Sequence, residues 1–123
     1  GDNASAELPD LLGKATPTLP PGALQVQDVE ADPKGYTGTI LVRGVVAVQS
    51  TNDPHLFGLI DSREARVCRD LHCAKYYLPI KVQRTDLKPW DELNVRGTMT
   101  EDPNKKLVYL NAETVENLGS IRK

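Results

Sequence analysis

Thr39-Ile40-Leu41-Val42-Arg43-Gly44-Val45-Val46-Ala47-Val48-Gln49 is the stretch on which the fold turns. In an extended chain it sets Ile40, Val42, Val46 and Val48 on one side and Leu41, Arg43, Val45 and Ala47 on the other. β-Branched side chains pack well on a pleated surface, and apolar residues on both sides predict one strand serving two sheets. Gly44 sits at the middle, where a residue without Cβ permits the bend and close backbone approach that such a strand needs.

Upstream, Val26 to Tyr36 reads as one or two helical turns. They stop near Asp32, because the residue before Pro33 is pushed out of the α region. Downstream, Ser50-Thr51-Asn52-Asp53-Pro54 is turn chemistry and His55 to Ile60 a second short strand. Tyr76 to Val82 resumes alternation, with Pro79 implying an edge or a bulge because it cannot donate to a ladder. Lys88-Pro89-Trp90-Asp91 is a turn, and Glu92 to Thr100 and Lys105 to Val115 are strands joined at Glu101-Asp102-Pro103-Asn104. Between the second and third strands, Asp61 to Ala74 breaks the β rhythm; Asp61 or Ser62 can cap a helix there. The expectation is a mainly β protein, a five-stranded barrel with a short helix before its first strand and a cysteine-bearing helical insert between strands two and three.

Composition bounds the rest. At 123 residues, 39% of them apolar and with one Phe, one Trp and one Met, the chain makes one domain cored by Val, Leu and Ile. A net charge of −2 gives no overall attraction for polyphosphate. Residues 1–22 carry Pro9, Pro17, Pro20 and Pro21 without a hydrophobic period and read as a flexible tether, with the barrel domain spanning 23–123. Extended, about 20 residues span on the order of 60 Å. Such a tether suits a domain held off a membrane by an anchor not in this chain, and equally a plain disordered end.

From Asp28 to Leu118 the chain resembles exported bacterial OB-fold proteins of the tRNA-anticodon-binding-like superfamily. The resemblance is carried by Gly38-Thr39-Ile40-Leu41-Val42-Arg43-Gly44-Val45-Val46, by Phe57-Gly58-Leu59-Ile60-Asp61, by Trp90-Asp91-Glu92-Leu93-Asn94-Val95-Arg96-Gly97 and by Leu107 to Ala112. It implies an OB fold and an exported, periplasmic location. The departure is the insert from Ser62 to Lys75, where the family has a simple hairpin. Haem carriage as in the OB-fold haem chaperone does not transfer, since that histidine lies in a tail after the barrel and this chain has none beyond His72.

Cys68 and Cys73 hold the concentrated chemistry. Outside the cytosol so close a pair forms a disulfide; inside it, such a pair ligates metal or exchanges electrons. Five positions along a continuous helix separate two side chains by about 140°, so a disulfide requires the helix to unwind near Leu71 to His72. Cys68 and His72 share a helical face, which with Cys73, and with His55 or Asp53, would suit copper or zinc. Redox-active thiols are the third reading, with Arg66, Arg69 and the helix start to lower a thiol pKa. Arg63, Arg66 and Arg69 are spaced as a basic ridge near Phe57, Tyr76 and Tyr77, a candidate binding surface for single-stranded nucleic acid that Glu64 and Asp70 interrupt. No Ser-His-Asp set, paired acids or phosphate-cradling loop appears, so the expected function is non-catalytic binding of a protein or small ligand.

Overall fold

The computed structural model describes residues 16–122. Its elements run β1 (Leu24–Gln25), α1 (Val26–Ala31), β2 (Thr39–Gln49), β3 (Leu56–Ile60), α2 (Ser62–Val67), β4 (Leu78–Lys81), β5 (Asp91–Asp102) and β6 (Leu107–Ser120). The fold is mainly β. Strand β2 pairs through its first half with β5, from Thr39 opposite Thr98 to Val45 opposite Glu92, and through its second half with β3, from Val45 opposite Ile60 to Gln49 opposite Phe57. That double use is why both its sides are apolar. β3 continues to β4, β4 runs parallel to β6, and β6 pairs along its length with β5, so the pairings close on themselves.

The sheet has six strands, one more than expected. The addition is β1, two residues parallel to β2 with Leu24 opposite Val42 and Gln25 opposite Arg43. Gly44 is needed for proximity: a Cβ there would lie 2.8 Å from Val26 Cγ2 and 3.1 Å from the Ile60 carbonyl, so α1 and β3 both press on the strand. β2 also carries an irregularity between Val46 and Val48, which sharpens its turn.

Two apolar clusters result. The larger fills the ring with Val42, Val46, Phe57, Leu59, Leu78, Ile80, Leu93, Val95 and Leu110, closed at one end by Val26 and Val29 of α1. The smaller lies on the opposite face of β2 and β3, where Val45 and Ile60 are covered by Ala65, Leu71, Ala74 and Ile121. α2 is shorter than Asp61 to Ala74. It ends at Val67, and Cys68 is already extended at φ −86° and ψ 145°.

Candidate functional site

The excursion between β3 and β4 is built around a disulfide from Cys68 to Cys73, whose Cα atoms are 6.3 Å apart. Unwinding at Cys68, three residues earlier than expected, brings the two sulfurs together. Bonded to each other, the two sulfurs offer no thiolate, and His72 between them is exposed. His55 Nδ1 sits 2.9 Å from the Val82 carbonyl and Asp53 faces Lys81 at 3.8 Å. Among the described residues no three His, Cys, Asp or Glu side chains stand together as a metal would require.

Three contacts fasten the excursion to the ring. The Tyr77 hydroxyl donates to the Leu71 carbonyl at 2.8 Å. Arg122 donates to the Cys68 and Arg69 carbonyls at 2.6 and 3.0 Å, while its guanidinium lies 3.8 Å from the centroid of the Trp90 ring. Trp90, at the turn where Asp91 N–H bonds the Lys88 carbonyl, adopts φ +77°, uncommon for a bulky residue. That conformation lets its N–H reach the Val46 carbonyl and its carbonyl accept from Ile121.

At the head of α2, Asp61 is fully buried and caps the helix by accepting from Arg63 N–H at 2.9 Å. It also accepts from the N–H of Gln27 in α1, and the Arg63 guanidinium grips both its oxygens. Burial alone would raise its carboxyl, but these hydrogen bonds outweigh that and hold it below the usual range. Arg66 turns inward and makes two 2.8 Å bonds to Glu92, the pair being 11% and 1% exposed. Burial again works to raise Glu92; the Arg66 guanidinium, aided by the charge of Arg43, holds it low.

The structure brings the residues of the expected binding surface together only in part. Phe57 is core, 1% exposed, and Arg66 is turned in to Glu92, while Arg63, paired with Asp61, and Arg69 both stay exposed. Tyr76 packs on the main core beside α1, where burial and the charge of Glu30 push its hydroxyl up, whereas Tyr77 packs on the smaller cluster. Helical spacing placed the arginines on one face, but it could not show which had internal acids to meet.

Arg43, an unremarked strand residue in the sequence, is 2% exposed. It donates to Asn94 at 3.0 Å and to the Pro17 and Thr18 carbonyls at 2.7 and 3.1 Å, while Asn94 donates to Glu116 at 2.9 Å. Of the stretch read as a tether, residues 1–15 lie outside the described residues, and Pro17 and Thr18 are bound to the sheet.

No family model and no curated protein matches the chain. Among solved structures it is similar to that of the hypothetical protein YgiW from E. coli, at 13% identity and TM-score 0.52, covering 84% of this chain and all of that one. This likeness is one of fold. No helix among the described residues is long and apolar enough to cross a membrane.

Proposed function

We propose that this chain is an exported, non-catalytic binding module built on an OB-fold barrel, with the disulfide-closed excursion as its distinguishing surface. One observation carries the reading: a disulfide from Cys68 to Cys73 closes the insert between β3 and β4 on itself. Disulfides persist in oxidising compartments and are rare in the cytosol. Support for the barrel comes from the closed set of pairings and from β2, the long coiled strand shared by both halves of the ring, the arrangement expected of an OB fold. Support for binding without turnover comes from the fate of the candidate reactive groups. The thiols are bonded to each other, and the buried acids Asp61 and Glu92 are held ionised by arginines rather than poised to move protons.

The test is fractionation of cells that make the full natural chain. Release by osmotic shock, or digestion by a protease that cannot enter intact cells, is expected. Recovery in the cytosolic fraction alone would overturn the reading.

A further inference from the structure

Strand alternation assigns Phe57, Leu59, Leu78 and Ile80 to the interior, so the residues between them face out, where polar side chains are the rule. Here they are not polar. Val48, Leu56, Gly58, Tyr77, Pro79 and Leu107, together with Phe57 and the one polar residue Ser50, line a groove of about 190 Å³ where β2, β3, β4 and β6 meet. Gly58 stands opposite both Val48 and Pro79 and forms the floor. A Cβ there would lie 3.0 Å from Val48 Cγ1 and 3.5 Å from Tyr77 Cβ. Val48 is 49% exposed although nothing in the fold requires an apolar residue there.

The volume falls below the roughly 300–1,000 Å³ of small-molecule and cofactor sites, so the groove takes a side chain rather than a cofactor. The charge around it gives the partner's sign. Lys75 lies two residues before Tyr77, Lys105 and Lys106 directly precede Leu107, and all three are exposed. Lys81, two residues beyond Pro79 on the same face of β4, meets Asp53 at 3.8 Å and lies 5.2 Å from the centroid of the Tyr109 ring. Of the neighbouring acids, Glu101 faces Lys34 at 3.8 Å, and Asp102, opposite Leu107, accepts from the N–H groups of Asn104 and Lys105 and keeps its charge. Three exposed lysines flanking the lining residues in sequence, against Asp102, on a chain of net charge −2, favour an acidic ligand.

Nucleic acid fits less well. Base stacking needs a free aromatic face, yet Phe57 is buried, Tyr77 is fixed through its hydroxyl to Leu71, and Lys81 covers Tyr109.

We infer that this groove receives an aliphatic or aromatic side chain from an acidic segment of a partner polypeptide, with Lys75, Lys105 and Lys106 meeting its carboxylates. The inference rests on the reading of the chain as a binding module and names the partner class for it. The experiment is amide chemical-shift mapping of the unreduced, isotopically labelled full chain with a nine-residue Asp/Glu peptide bearing one central leucine. Control ligands are the same peptide with central alanine, its lysine-for-acid counterpart, and a single-stranded oligodeoxynucleotide.

Shifts confined to Val48, Gly58, Tyr77 and Leu107 and their neighbours are expected. Binding should weaken about tenfold or more with alanine at the centre, in exposed-site Val48→Glu, and in the double change Lys105→Glu with Lys106→Glu. Equal binding of the alanine peptide, shifts on another face, no shifts at millimolar peptide, or stronger groove shifts from the oligonucleotide would each overturn it. Thiol titration and strand-pairing spectra of the same samples separate this outcome from a failure of the module reading itself.

Discussion

Replacing both Cys68 and Cys73 by serine removes a cross-link between residues five apart in sequence. The loop is short, so the conformational entropy it withholds from the unfolded chain corresponds to about 2 kcal/mol. The local effect should exceed that figure's reach. The Cys68 and Arg69 carbonyls hold Arg122, Arg122 stacks on Trp90, and Leu71 both fills the smaller cluster and anchors Tyr77. Because Trp90 is the only tryptophan, urea unfolding followed by its fluorescence reads both quantities. The transition is expected to move to lower urea by an amount equivalent to about 2 kcal/mol with an unchanged slope. The folded-state emission should differ from the parent's as the guanidinium loses its anchors. A stability change within about 0.5 kcal/mol together with an unaltered folded-state spectrum would refute the reasoning that the disulfide fixes the carbonyls through which the excursion meets Arg122 and Trp90.

Three further outcomes follow from the same geometry. Glu92→Ala breaks the two 2.8 Å bonds of the buried ion pair with Arg66 and should cost about 3–5 kcal/mol, whereas Arg66→Met combined with Glu92→Leu should recover much of it, both read by denaturant unfolding. Glu92 and Asp61 have carboxyls held low in the folded state, so their contribution is complete above the ordinary carboxyl range near pH 4 and is lost as pH falls through their lowered values. Stability should therefore be flat from about pH 5 to 7 and drop below about pH 4, and a decline on raising pH across the upper interval would contradict this. Arg43→Met removes the donors that hold Pro17 and Thr18, and limited proteolysis should then cut within residues 16–22 faster than in the parent.

The strand at Thr39–Gln49 was readable because its aliphatic pattern is long and its ends are marked by turn residues; observed and expected bounds agree. The turn at Lys88–Asp91 and the helix ending before Asp32 were legible for the same reason, local chemistry that proline enforces. β1 was not, since two residues carry no period. β6 runs to Ser120, beyond the expected Val115, because Glu113, Thr114, Glu116 and Asn117 are exposed and its far end is held by pairing with β5 rather than by burial. In the candidate site, the cysteine pairing was one of several readings left open, because helical phase sends the two side chains apart. What decided it was the early end of α2 at Val67. Arg66 with Glu92, Arg43 with Pro17, and Arg122 with Cys68 join residues 26 or more apart, and no local pattern announces them.

The most direct measurement is the state of the two sulfurs in protein taken from its own cells, trapped at once with an alkylating reagent and weighed by mass spectrometry. Unmodified Cys68 and Cys73, with the mass two hydrogens below the reduced chain, is the predicted result. Two alkylated thiols would contradict an exported domain whose insert is closed by sulfur.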